Sequence, residues 1–300
     1  MENFLQQLLN GVTWGSIYAL IALGYTMVYG VLKLINFAHG EIYMVGAMTG
    51  YYTAHALGFA AAPSPLGLAV TLVAAMLACA ALGALIERVA YRPLRTAPRL
   101  APLITAIGVS LLLQNTGQLV FGADPKFFPT LLESRELWRV GALAISNIQV
   151  AVLATALVLM ASLEFVVMRT RFGRAMRAVS FDTPAAALMG VPVDRVIQGT
   201  FVLGSALAAA AGILVGLSNP KIDPLMGLMP GLKAFVAAVL GGIGSVPGAM
   251  VGGLLLGVIE TLVAGYLSST YRDAIAFVVL VVILLYRPTG IFGTSRAEKV

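Results

Sequence analysis

Long apolar segments alternate along the chain with short polar or basic connections. Most of these segments approach or exceed the ~20 residues that a helix needs to cross a ~30 Å hydrocarbon core. The pattern predicts nine spans: Leu8–Leu32, Ile35–Leu57, Leu66–Ile86, Pro102–Phe121, Ile148–Met168, Val196–Leu217, Leu232–Gly244, Gly248–Leu267 and Ala274–Tyr286. The seventh and ninth are short for a full crossing, so we expect about 8–10 transmembrane or re-entrant helices.

Composition supports the same class of protein. Hydrophobic residues make up 59% of the chain and charged residues 11%, and the mean hydropathy is +0.93. A water-soluble domain of this length would need far more charge to cover its surface. We therefore predict an all-α, polytopic helical membrane protein in which residues 1–300 form a single transmembrane domain.

Basic residues mark one side of the predicted bundle. They cluster in two connections and the tail: Arg88, Arg92, Arg95 and Arg99; Arg169, Arg171, Arg174, Arg177 and Arg195; Arg287, Arg296 and Lys299. The positive-inside rule places all three groups in the cytoplasm, and even numbers of spans separate them. With nine crossings the N-terminus lies outside. This topology accounts for the net charge of +6, so we expect a lipid bilayer and no nucleic acid as partner.

The basic connection 169–195 contains a signal for a short helix. Asp182 is a suitable N-cap and Pro184 suits the first helical turn. Ala185 and Leu188 favour helix, and Gly190 supplies the stop. The predicted helix of about two turns is marginal alone and needs a surface on which to pack. Two interpretations stay open: an interfacial helix on anionic lipid, or docking into a soluble partner.

Glycine and proline interrupt the apolar pattern after the seventh span. The run contains Gly241, Gly242, Gly244 and Pro247, and it cannot remain a regular helix throughout. It predicts either a gate or break that lines a pathway, or a tight turn between two spans. Both interpretations can hold together. The run is not a phosphate-binding loop, because the GxxxxGK[ST] pattern is missing from the whole sequence.

A few polar residues enter the apolar segments. Asn36, His39 and Glu41 lie together near the start of the second span, and Glu260 lies in the eighth. Buried ionisable groups usually face the bundle interior or water, so these four are candidate pathway or gating residues. For Asn36, His39 and Glu41 the alternative is a structural polar cluster at the cytoplasmic membrane face, and for Glu260 it is a hydrogen bond to a neighbouring helix. We expect Lys233 to reach the outer interface.

Catalytic chemistry has little support in this sequence. The chain has two histidines and one cysteine, which is too few for a nucleophile set or a metal site beside His39. We therefore predict that the chain is not an enzyme and that it holds no metal or cofactor of its own.

Three separated stretches and the tail carry a resemblance to a known family. They are LINFAHGEIYMVGA (Leu34–Ala47), GRAMRAVSFDTPAAALMGV (Gly173–Val191), KAFVAAVLGGIGSVPGAMVGGLLLGVIE (Lys233–Glu260) and YRPTGIFG (Tyr286–Gly293). Together they resemble the branched-chain amino-acid permeases of ATP-binding-cassette importers, in particular the smaller of the two permease types.

The resemblance implies a permease subunit that translocates branched-chain, hydrophobic amino acids into the cytoplasm across the bacterial inner membrane. It implies as partners a second permease, related or identical, two cytoplasmic ATPase subunits that use ATP and Mg, and an extracytoplasmic substrate-binding protein. The segment Asp182–Gly190 then resembles the coupling helix, with Arg174, Arg177, Asp182, Pro184, Ala185, Leu188 and Gly190 as the residues that couple to the ATPase.

Two alternatives stay open beside this function. Similar permeases serve urea or short amides, so the substrate is the least determined part of the prediction. A self-sufficient secondary transporter would instead use His39, Glu41 or Glu260 as a proton or ion site.

Overall fold

The computed structural model describes residues 2–95, 97–98, 100–141 and 143–293. Three of the basic residues used for the topology, Arg99, Arg296 and Lys299, lie outside the described residues.

Helices dominate the described residues. Eleven α-helices are present: α1 (Glu2–Leu32), α2 (His39–Ala56), α3 (Pro65–Ile86), α4 (Leu100–Phe121), α5 (Asn147–Arg169), α6 (Arg171–Phe181), α7 (Thr183–Leu188), α8 (Val193–Ser218), α9 (Leu228–Gly241), α10 (Val246–Tyr266) and α11 (Arg272–Tyr286). Seven helical segments of the described chain are long and apolar enough to cross a membrane, and α9 is a shorter apolar helix. The predicted class, an all-α polytopic membrane protein, is confirmed.

Each of the nine predicted spans corresponds to one helix, and the differences lie mainly at helix starts. The second span was expected from Ile35, but α2 begins at His39. The seventh was expected from Leu232, but α9 begins at Leu228. Hydrophobicity alone does not mark these starts, because Ile35 and Phe37 before α2 are as apolar as helical residues, and Pro230 and Gly231 interrupt the apolar run inside α9.

Helix α6 was not predicted, although the sequence contains its signals. The Thr170 side chain caps the helix by accepting from the Gly173 backbone N–H. Gly173, Met176 and Val179 form a buried stripe at three-residue spacing. The connection after α3 also continues as a π-helical turn over Glu87–Tyr91 and a 3₁₀ turn over Arg92–Leu94.

The core is built around α1 and α8, which are the most buried of the spanning helices. Small residues allow close approach of the backbones in lipid. A Cβ atom on Gly46 of α2 would overlap the backbone of Ala209 in α8, and one on Gly253 of α10 would overlap Ala19 in α1. Helices α4 and α11 lie at the periphery, and few of their residues are buried.

Short strands connect the helices at one end of the bundle. Strand β1 (Lys126–Phe127) pairs antiparallel with β4 (Lys221–Ile222). Strand β2 (Glu136–Val140) forms a hairpin with β3 (Leu143–Ser146). These strands lie in the connections that the predicted topology places outside the cytoplasm.

The basic connections and the tail gather at the opposite end, which we call the basic end. There, Arg92 and Arg95 after α3 pair with Asp194 at the start of α8. A cavity of about 530 Å³ at this end is lined by Ser180 of α6, by Gly244 between α9 and α10, and by Thr289 of the tail. The structure thus brings together the segments that the charge pattern assigned to one side.

Candidate functional site

The chain re-enters the bundle between α1 and α2. Asn36 is 2% exposed, and its side-chain oxygen accepts from the Ala38 backbone N–H at 3.1 Å and from the Tyr91 hydroxyl at 2.8 Å. These bonds hold the non-helical segment before α2. Non-helical backbone at this depth is tolerated because protein covers it.

His39 is the first residue of α2 and lies inside the bundle. Its ring packs against Tyr25, with the ring centroids 4.8 Å apart, and it fills the space beside Gly24 of α1. Gly24 precedes Leu32, the end of α1, by eight residues, so the His39 ring reaches α1 about two turns before that helix ends. All three residues of the expected polar cluster, Asn36, His39 and Glu41, are buried in the protein, and their place at the cytoplasmic membrane face stays a prediction.

Glu41 points away from His39, as the two-residue spacing in a helix requires. Glu41 is 1% exposed. Its Oε1 atom accepts from Gln114 Nε2 at 2.7 Å and from Ser110 Oγ at 3.3 Å, both on α4. His39 thus packs against α1 and Glu41 bonds to α4, so the two side chains do not form an ion pair with each other.

The starts of α2 and α9 meet beside Glu41. A Cβ atom on Gly227 would lie 2.5 Å from the Gly40 carbonyl oxygen and 2.7 Å from Glu41 Oε2. Only glycine allows this approach of two backbones. Helix α9 is short because it begins within the bundle, beside the buried start of α2, instead of at the outer end of the bundle.

A cavity of about 350 Å³ opens beside this meeting point. Its polar wall contains Tyr25, Glu41, Ser110 and Gln114, and its apolar wall contains Phe37, Ile107, Leu111, Leu228 and Leu232. This volume falls within the range of ~300–1,000 Å³ that small-molecule sites occupy. Of the candidate pathway residues, the structure brings Glu41 alone to this cavity.

Glu260 belongs to a separate buried charge network. It is fully buried; Lys233 Nζ of α9 lies 3.0 Å from its Oε1, and Arg272 Nε lies 3.4 Å from its Oε2. The Tyr18 hydroxyl donates to Oε2 at 2.9 Å. The expectation that Lys233 reaches the outer interface was wrong, because Lys233 is 5% exposed and its charge is balanced by Glu260 inside the protein.

The glycine run forms a tight turn at the basic end. Helix α9 ends at Gly241, and Gly242 and Gly244 have φ angles of 106° and 95°, which favour glycine. Helix α10 then begins with Pro247 in its first turn. The tail packs on this turn, where Phe292 N–H donates to the Gly241 carbonyl at 2.9 Å. The tight turn is confirmed, and a gating role stays a prediction.

The short helix predicted in the basic connection is present as α7. The Asp182 side chain accepts from the Ala185 N–H at 2.9 Å, Pro184 lies in the first turn, and Gly190 has a φ angle of 81°. Leu188 is 88% exposed, so a large apolar side chain is presented to the surroundings. The Ala186 side chain is buried and faces the protein.

The two arginines expected to act with α7 differ in their contacts. Arg177 donates to the Val167 carbonyl at the end of α5, so it fastens α6 to the bundle. Arg174 is exposed. Both lie on the helix that leads directly into α7.

Lys233 and Tyr18 are network residues that sequence reasoning missed. The available signal was the opposite charge of Lys233 and Glu260 in neighbouring apolar spans, since buried charges are usually paired. Nothing in the sequence indicates that Tyr18, 242 residues from Glu260, also belongs to the network.

These features define a class of protein. A bundle of spanning helices in which two helices begin inside the protein, beside a cavity, is typical of membrane transport proteins.

Comparison with known proteins gives the family. Residues 7–284 match the family described as branched-chain amino acid transport system / permease component. The chain is 46% identical over 303 residues to the high-affinity branched-chain amino acid transport system permease protein LivH of Salmonella typhimurium, covering 99% of this chain and 98% of that protein. The corresponding protein BraD of Pseudomonas aeruginosa is 46% identical over 302 residues, with the same coverage. A probable LivH of Methanocaldococcus jannaschii is 28% identical over 293 residues, covering 95% and 91%.

The chain therefore belongs to the branched-chain amino acid permease family. The resemblance seen in the sequence is confirmed. Its relatives are named as permeases of transport systems and not as enzymes.

Proposed function

We propose that this chain is the permease subunit of an ATP-driven importer of branched-chain, hydrophobic amino acids in the bacterial inner membrane. The observation that carries the proposal is the capped helix α7, which presents Leu188 at the basic end of a bundle of spanning helices. The substrate class rests on the names of the relatives, which cover nearly the whole chain.

The packing of α7 suits it to transmit motion. It follows α6 directly, and the Val191 N–H behind it donates to the Ala186 carbonyl at 3.0 Å. Helix α6 is held to α5 through Arg177, and α8, which begins at Val193, runs through the core. A displacement of α7 is therefore transmitted to the two spanning helices α5 and α8.

The proposed cycle uses a motor outside this chain. Two cytoplasmic ATPase subunits bind ATP with Mg and close, α7 moves with them, and the bundle changes the side on which it is open. A second permease, related or identical, completes the pathway, and an extracytoplasmic binding protein delivers the amino acid.

The docking role is tested by introducing a charge at the exposed face of α7. In Leu188→Asp we expect loss of ATPase subunits from the purified complex, because a carboxylate replaces the apolar contact, while the permease still inserts. Leu137→Asp is the matched control, since Leu137 is also exposed, at 60%, but lies on β2 at the other end. Equal ATPase recovery in the two variants would contradict the docking role.

The substrate and the energy source are tested with the reconstituted complex in proteoliposomes. We expect uptake of leucine, isoleucine and valine that requires ATP. Uptake of urea or acetamide in preference to leucine would instead support the amide alternative. Leucine uptake that follows an ion gradient without ATPase subunits would support a secondary transporter.

A further inference from the structure

The cavity between α2, α4 and α9 has an open edge and a buried polar floor. Ile107 and Leu111 on α4 and Leu228 on α9 line it and are about half exposed. Glu41 lies at the other side of the cavity and is 1% exposed. The cavity therefore has an apolar entrance and, at its inner side, a carboxylate that protein covers almost completely.

The Glu41 carboxylate is only half satisfied by the protein. Its Oε1 atom accepts two hydrogen bonds from α4. Its Oε2 atom has no hydrogen-bond partner among the described residues and lies beside Gly227, at the start of α9. Within the described residues no basic side chain forms an ion pair with Glu41, in contrast to Glu260.

A buried carboxylate without a cation is costly, so the arrangement favours a ligand that brings a positive charge. A metal ion fits poorly, because the described residues contain no cluster of three acidic, histidine or cysteine side chains. A compact ammonium group fits better, since it needs a few oxygen acceptors and no fixed coordination geometry.

The rest of the cavity complements the other parts of an amino acid. The apolar residues Ile107, Leu111 and Leu232 provide a surface for a branched aliphatic side chain. Helix α9 begins at the cavity with Leu228, and the amino end of a helix favours a negatively charged group such as a carboxylate.

We propose that this cavity is a binding site for the translocated amino acid, in which Glu41 Oε2 accepts from the α-ammonium group. The inference rests on the proposed function and adds a selectivity step within the permease. The permease then distinguishes an amino acid from the corresponding carboxylic acid by the charge on Glu41, independently of the soluble binding protein.

The test uses protection of an introduced cysteine in the intact complex of permease and ATPase subunits, without binding protein. The chain contains one cysteine, and it is buried, so labelling reports the introduced site. Leu111→Cys places the reporter on the cavity wall. Leu119→Cys is the control, because it lies on the same helix about 12 Å further along and is also exposed.

We expect leucine to slow the reaction of a small thiol reagent at Leu111→Cys and not at Leu119→Cys. The compound 4-methylpentanoate, which is leucine without the ammonium group, should give no protection at the same concentration. Adding Glu41→Gln to the reporter should raise the protecting leucine concentration about tenfold or more, as expected for loss of one hydrogen bond to a charged group. Glu41→Asp should keep part of the effect.

The comparison of leucine with 4-methylpentanoate requires no change at Glu41. It therefore tests recognition of the ammonium group even where the Glu41→Gln variant fails to assemble. Equal protection by both compounds would overturn the proposed role of Glu41. ATP-dependent leucine uptake by the full transporter without protection of Leu111→Cys would overturn the site and leave the proposed function intact. If the full transporter showed no ATP-dependent uptake, the proposed function would be overturned, and with it the proposed binding site.

Discussion

Replacing Lys233 with methionine keeps an unbranched side chain that is one heavy atom shorter, and it leaves Glu260 without its nearest cation. Both residues are almost completely buried. Removing one partner of a buried ion pair costs about 3–5 kcal/mol, because the other charge stays desolvated and uncompensated. Arg272 and the Tyr18 hydroxyl still contact Glu260, so we expect the lower end, about 3 kcal/mol of unfolding free energy.

Two further variants separate this mechanism from a general loss of packing. Lys233 Nζ also lies 2.6 Å from Asp273 Oδ1, whose side chain is 54% exposed. Asp273→Asn should therefore cost less than about 1 kcal/mol, as exposed pairs do. Combining Lys233→Met with Glu260→Gln removes both charges and should restore at least half of the stability lost.

The assay is equilibrium unfolding of the purified permease in detergent, followed by tryptophan fluorescence. Lys233→Met, Glu260→Gln and the double variant are analysed together as a mutant cycle. Additive losses in the double variant, or a Lys233→Met variant as stable as Asp273→Asn, would refute the claim that the pair is buried and mutually dependent.

Two smaller changes test local features of the fold. Asp182→Ala removes the cap of α7, a loss of about 1 kcal/mol. Amide hydrogen exchange over 185–188 should therefore accelerate about fivefold, while the global free energy of unfolding stays unchanged. Unaltered exchange would contradict the capping role. Gly46→Ala should destabilise the bundle by about 1–3 kcal/mol because its methyl group meets Ala209. Gly108→Ala, where a Cβ meets nothing within 4 Å, should be neutral or slightly stabilising; equal stability of the two variants would contradict close packing of α2 on α8.

Local signals explain how much of the fold the sequence predicts. The nine apolar helices follow from the length of apolar runs, and helix α7 follows from Asp182, Pro184 and Gly190. These features depend on residues within a few positions of one another, so a single sequence contains them. The signals of helix α6, the Thr170 cap and the stripe from Gly173 to Val179, are equally local, although α6 was not predicted.

The candidate site was predictable only as a set of residue types. Polarity in an apolar segment singled out Glu41 and Glu260, but their partners lie far along the chain. Gln114 is 73 residues from Glu41, and Gly227 approaches it from another helix. Lys233 was assigned to the wrong environment because its proximity to a proline and a glycine suggested a surface, whereas its pairing with Glu260 keeps it inside.

The sequence by itself determined that this is a helical membrane protein with a capped helix in its basic connection, because hydropathy, helix capping and charge distribution are properties of contiguous residues. The tertiary structure alone decided where α2 and α9 begin, which carboxylate is neutralised and which one faces a cavity. Those outcomes depend on which distant segments meet, as Gly40 and Gly227 do at the starts of α2 and α9 and Lys233 and Glu260 do between α9 and α10.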